Sequence, residues 1–111
     1  MGNTFVVDMT HFLDEHGEMS AELPGPARRL AEYFVAIVTM ASYPGPDYPA
    51  EYRVLCRRRP NRRKCLEEIV GFVDPETDDI VWMCPRCHDN GIISNWRNTM
   101  WDMSGFDEVG H

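Results

Sequence analysis

Four cysteines, Cys56, Cys65, Cys84 and Cys87, are the residues best equipped to do chemistry in this chain. The last two lie in Cys84-Pro85-Arg86-Cys87-His88, which has three chemical readings. As C-x-x-C it is half of a metal site or a thiol redox pair; as C-x-x-C-H it is the attachment motif of a c-type haem. A redox pair of the thioredoxin kind needs a helix N-terminus behind it to lower the thiol pKa. Here the motif runs into the turn signal His88-Asp89-Asn90-Gly91 and then the β-type residues Ile92 and Ile93. Haem attachment follows export, and Met1 to Asp8 has no basic leader and soon reaches an acid. Both readings leave Cys56 and Cys65 unused. A fourth reading keeps all four as reduced core residues with no ligand.

The full pattern, C-x8-C-x18-C-x2-C, favours one four-thiolate zinc site. Tetrahedral zinc needs four converging ligands, and two thiol pairs at strand ends on either side of a hairpin supply them. Four thiolates also serve iron, and spacing does not separate the two metals. Four cysteines leave no position for water, so the ion is expected to be structural, Zn2+ for preference. Its binding free energy, about 10–16 kcal/mol for such sites, rivals the whole stability of a small domain. Chelation is therefore expected to unfold the C-terminal half. His88 is a spare neighbour of the filled cage.

Between the first two cysteines runs Arg57-Arg58-Arg59-Pro60-Asn61-Arg62-Arg63-Lys64, with six bases in eight residues. Pro60-Asn61 suits the centre of a turn, so the segment reads as a charged hairpin tip. Arg57, Arg58, Arg59, Arg62, Arg63 and Lys64 are then candidate contacts to the phosphates of DNA or RNA. The alternative is a solvated loop that pairs with acids such as Glu67, Glu68 and Asp74, or offsets the negative zinc–thiolate centre. The net charge of −7, from 18 acids and 11 bases, opposes a polyanion partner, while the local density favours one. Trp82, Trp96, Trp101 and Tyr52 could stack on bases, but tryptophans in a small sheet ordinarily form its core. Asp8, His11, Asp14, Glu15 and His16 match no known site spacing and read as surface. No nucleophile–base pair and no phosphate-binding loop is recognisable, so the chain is expected not to be an enzyme and to have no small-molecule substrate.

The elements that must position these groups are few. Phe5, Val7, Met9 and Leu13 share one alternating face, with His11 in register, and predict a strand; Asp14 to Glu18 is a turn. Gly25 is a candidate cap and Pro26 a first residue for a helix over 26–42. Its stripe is Ala27, Leu30, Phe34, Ile37, Val38 and Ala41, and beyond Tyr33 it is apolar nearly all round. Such a helix is buried on several sides, in a core or in a homodimer interface. Residues 43–51, rich in proline, form a connector. The rest predicts short strands at Tyr52–Cys56, Leu66–Val73, Ile80–Cys84 and Gly91–Trp96, with a short fifth at Thr99–Met103. The second and third of these make a hairpin around Asp74 to Asp78, and 105–111 is a tail.

The region from about 52 to 96 resembles a zinc ribbon. Cys84-Pro85-Arg86-Cys87 followed by Gly91 looks like one ribbon knuckle. The first pair departs from the family, with eight intervening residues where ribbons have two to four, and His88 stands where a ribbon knuckle commonly has glycine. The combination LPGPARRLAEYF, CRRRPNRRKC, CPRCHDNGIISNW and TMWD is similar to a set of small uncharacterised bacterial proteins, a resemblance that covers about residues 12–103 and implies no activity.

One α+β domain spanning 1–111 is therefore expected. An N-terminal strand and one apolar helix (1–42) pack with a small antiparallel zinc-ribbon-like sheet (52–104). The 111 residues, with 43% hydrophobic and 26% charged content, suit one soluble domain in which a metal staple helps. The longest apolar run, Tyr33 to Met40, is too short for a bilayer, and the Met-Gly start lacks the hydroxyl residue of a myristoylation signal. A cytoplasmic setting is expected, where thiols stay reduced. The leading expectation is a non-enzymatic, zinc-stabilised binding module for nucleic acid. The alternative is a module that pairs with itself or another protein through the apolar helix.

Overall fold

The computed structural model describes residues 4–44, 48–57 and 62–105. It is α+β, with one helix on one face of a four-stranded mixed sheet. The strands are β1 (Thr4–Asp8), β2 (Val70–Val73), β3 (Ile80–Met83) and β4 (Asn90–Ser94), and the helix is α1 (Gly25–Ser42). Their order across the sheet is β1-β4-β3-β2. β2, β3 and β4 form the expected antiparallel meander, while β1 runs parallel to β4, pairing Thr4 with Asn90 and Asp8 with Ser94. The sheet is thus mixed rather than wholly antiparallel. An alternating apolar strand needs a sheet edge, and the free edge of β4 is the one it occupies.

The first strand is shorter than its alternation suggests. Asp8 ends it by accepting the Thr10 N–H at 2.9 Å and the Thr10 hydroxyl at 2.6 Å, and Met9–Phe12 form a 3-10 turn. The helix begins one residue before the expected 26, with Pro24 at the cap and Pro26 in the first turn, where its missing N–H costs nothing. The strand expected over 52–56 is reduced to one antiparallel bridge, Leu55 to Glu68, preceded by a 3-10 turn at Ala50–Tyr52. The strand over 66–73 begins only at Val70. Thr99–Met103 is a pair of turns rather than a strand: the Thr99 N–H bonds the Trp96 carbonyl at 3.3 Å and Asp102 N–H the Thr99 carbonyl at 3.1 Å. Residues 45–47 of the connector, 58–61 of the basic loop and 106–111 of the tail lie outside the described residues.

The core lies between α1 and the sheet. Phe34, Val35, Ile37, Val38 and Met40 of the helix are buried against Ile80, Trp82 and Ile93. Of the apolar stripe, Phe34, Ile37 and Val38 are buried within the chain, while Ala27, Leu30 and Ala41 are half-buried. Trp82 sits at the centre of β3, opposite Gly71 on β2 and Gly91 on β4. Both glycines make room for it: a Cβ on Gly91 would lie 2.7 Å from the indole nitrogen, and one on Gly71 3.4 Å from the Trp82 Cβ. Phe5 stacks on the indole at 6.0 Å and Tyr33 meets it edge-on at 5.8 Å. Trp96 is buried as well, with its N–H donating to the Asp78 carbonyl at 2.8 Å. Trp82 and Trp96 are therefore core residues, and Trp101 and Tyr52 are half-buried against the same core.

Candidate metal centre

The four cysteine sulfurs converge beyond one end of the sheet, all within 4.8 Å of one another. Cys84 follows the last residue of β3, and Cys87 lies three residues before β4, so the tight β3–β4 connection carries one pair. The other pair flanks the basic loop beside the Leu55–Glu68 bridge. The contacts run between pairs, with Cys56 Sγ 3.4 Å from Cys87 Sγ and Cys65 Sγ 3.6 Å from Cys84 Sγ. None is a disulfide. A tetrahedron of thiolates about 2.3 Å from a central zinc has edges of about 3.8 Å. The observed spacings are close to that, so the donor set fits one ion by number, type and separation. Among the described residues it is the one group of three or more candidate ligands placed to hold a metal.

The two pairs are closed in the same way despite their different lengths. In the second, the Cys84 N–H bonds the carbonyl of Asp89, two residues past Cys87, at 2.7 Å. In the first, the Cys56 N–H bonds the carbonyl of Glu67, two residues past Cys65, also at 2.7 Å. The residue after each second cysteine is left-handed, His88 with φ 65° and Leu66 with φ 55°. The long spacing of the first pair thus inserts residues between its ligands without changing how the knuckle closes. His88 is exposed.

Backbone donors tune the thiols. Burial opposes ionisation of Cys84, but the N–H groups of Cys87 and Arg86, with the neighbouring Cys87 and Cys65 sulfurs, outweigh it and hold the thiol below its ordinary value. The Cys87 N–H to Cys84 Sγ distance is 3.5 Å. At Cys65 the N–H of Glu67 acts in the same sense, yet burial and the Cys84 sulfur outweigh it and raise the thiol. The thiolate is the form in which cysteine binds metal, and the backbone N–H groups around Cys84 favour it there.

The cations gather around the cage. Arg57, Arg62, Arg63, Lys64 and Arg86 are exposed, and Arg57 lies over the Tyr33 ring at 5.5 Å from its centroid. Arg58 and Arg59 fall outside the described residues. Two of the acids considered as loop partners are engaged otherwise. Glu68 accepts the Tyr48 hydroxyl at 2.8 Å and lies 3.6 Å from Arg53. Asp74 accepts the Glu76 N–H at 2.8 Å in the turn at the opposite end of the sheet. The N-terminal group stays at the surface, with His11 3.9 Å from Asp8, His16 3.8 Å from Glu15, and both imidazoles about three-quarters exposed.

Three features escaped the sequence: the left-handed Leu66, the Arg57–Tyr33 contact, and the Arg97–Asp78 pair beside Trp96. In that pair Arg97 Nε and Asp78 Oδ2 are 2.5 Å apart, and the guanidinium lies 4.5 Å from the Trp96 ring centroid. No helix among the described residues is long and apolar enough to cross a membrane. Comparisons with protein-family models, with curated proteins and with solved structures give no match.

Proposed function

We propose that the chain is a non-enzymatic binding module, stapled by a structural zinc ion in the Cys56–Cys65–Cys84–Cys87 cage, that contacts the phosphates of DNA or RNA through the basic segment 57–64. What supports the metal is the fit of four converging thiols with tetrahedral spacing and the matching closure of both knuckles. Four thiolates leave the ion no open position for water, which is why the reading assigns it no catalytic role.

The observation that carries the phosphate reading is the segregation of charge. Of the chain's eleven bases, six lie in residues 57–64 and a seventh is Arg86. Of these, Arg57, Arg62, Arg63, Lys64 and Arg86 flank the cage at one end of the sheet, with Glu67, Glu68 and Asp89 beside them, while Asp8, Asp74, Glu76, Asp78 and Asp79 lie at the other. A net charge of −7 therefore conceals a positive pole, and it is the local field that a polyanion meets. Because the cage fixes both ends of the basic segment, metal loading should also set how those cations are presented.

Fluorescence anisotropy with duplex DNA and with single-stranded RNA across a salt series tests this. About six phosphate contacts give a log–log slope near −5 on a duplex, and replacing Arg62, Arg63 and Lys64 together by Gln should reduce the slope by about half. A slope near zero, or no binding at low salt by the zinc-loaded protein, removes the reading.

A further inference from the structure

The sheet has a second face, turned away from α1. Strand alternation and register set its side chains in three rows. The middle row takes one residue from each strand in spatial order: Val6, Ile92, Val81 and Phe72. On the cage side lie Thr4, Asn90, Met83 and Val70. On the hairpin side lie Asp8 and Ser94, continued by Asp79 and Asp74, which are joined by the Asp74 N–H to Asp79 carbonyl bond of 2.8 Å. A solvated sheet face ordinarily alternates to polar residues. Here the middle row is entirely apolar, with Val6 83%, Phe72 56% and Ile92 38% exposed, and Val70 and Met83 beside it are 50% and 39% exposed. A continuous apolar band of this kind marks an interaction surface.

We infer that this face packs against the same face of a second copy, with the strands of the two sheets running in opposite directions. The apolar row spans all four strands, so a two-fold axis lying across the strands lays row on row, as an isologous sheet-on-sheet contact requires. Charge selects the direction. The acidic row and the acids of the β2–β3 turn lie at one end of the strands, whereas Arg57, Arg62, Arg63, Lys64 and Arg86 lie at the other. Opposed strands bring each acidic end over the partner's basic end; strands running the same way would set acid on acid, which like-charge repulsion disfavours. The helix keeps Phe34, Val35, Ile37, Val38 and Met40 inside its own chain, so those residues are not available to a partner. Self-association and phosphate binding draw on the same cations, but substitutions in the apolar row leave those cations in place, so the failure of one is distinguishable from the failure of the other.

Sedimentation equilibrium of the metal-loaded protein, from micromolar to millimolar, tests it. A reversible monomer–dimer equilibrium is expected, weakened about 30-fold or more by Val81→Lys or Ile92→Lys, as for residues central to an interface. Val6→Lys, on the edge strand and largely exposed, serves if either central variant fails to retain metal and its far-ultraviolet circular dichroism. Asp79→Lys should weaken self-association, and mixing it with Arg86→Glu should restore a mixed dimer, the result unique to opposed strands. A monomer at every concentration overturns the inference, as does a dimer indifferent to all three apolar-row variants. So does a chain that stays monomeric but binds a different protein through this face.

Discussion

His88 and Leu66 hold the left-handed conformation that closes each knuckle, at φ 65° and 55°. For a residue with a Cβ that conformation costs about 1–2 kcal/mol, and glycine escapes most of it. His88→Gly should therefore stabilise the metal-loaded protein by about 1 kcal/mol, read as a higher denaturant midpoint with an unchanged slope. An unchanged or lower midpoint would mean that the imidazole makes contacts worth more than the strain. Gly91 poses the opposite case, because any Cβ there meets the buried indole of Trp82 at 2.7 Å. Gly91→Ala should cost about 1–3 kcal/mol through overpacking, measured in the same unfolding experiment. At this scale the cysteines were plain from their spacing, since ligand chemistry admits few residue types. The strained positions were not, because neither carries the glycine that normally advertises a left-handed turn.

The helix and the β2–β3–β4 meander could be read in advance, as each has a strong period and clear turn signals. What failed were segments whose apolar residues serve something other than a ladder. Leu55 is exposed and makes a single bridge before the chain turns into the cage. After β4, Asn95 and Asn98 are left-handed, and the Asn98 N–H is taken by the Asp102 carboxylate at 2.8 Å, so the chain turns instead of extending. The parallel partner of β1 was illegible for another reason, because alternation identifies a buried face but not the neighbour on either side.

Two predictions belong to these elements. Ile37, fully buried between α1 and the sheet, should cost about 2–5 kcal/mol when replaced by Ala, checked by chemical unfolding of the metal-loaded protein. The turn after β4 is tied to the hairpin through Asp78, whose carboxyl the Arg97 guanidinium holds below the usual carboxylate range. A depressed folded-state pKa contributes stability that is complete above the unfolded value of about 4. That contribution is lost as pH falls through the folded value. Arg97→Gln should move the Asp78 titration upward toward its ordinary position in a carboxyl-carbon NMR titration. An unmoved titration would mean the ion pair does not form in solution.

For the molecule as a whole, chelation is predicted to unfold the N-terminal strand and helix along with the C-terminal half. β1 completes the sheet against β4, and α1 packs on β2 and β3. The N-terminal strand and helix thus have no core of their own once the cage opens. Removing the metal should collapse near-ultraviolet circular dichroism from Trp82 and Trp96 and the helical signal in one transition, reversed by adding zinc back. A helix that persists while the tryptophan signal vanishes would show two separable units.

Thr4 and Asn90 are paired in register and 86 residues apart, with the Thr4 hydroxyl 2.9 Å from the Asn90 side-chain oxygen. During translation at about 5–20 residues per second, β1 is polymerised roughly 4 to 17 seconds before its partner. Cys87, the last ligand, emerges just ahead of β4, so ion capture and closure of the parallel pair fall in the same late interval. Until then Phe5 and Val7 have no sheet to join, and their apolar side chains stay in water.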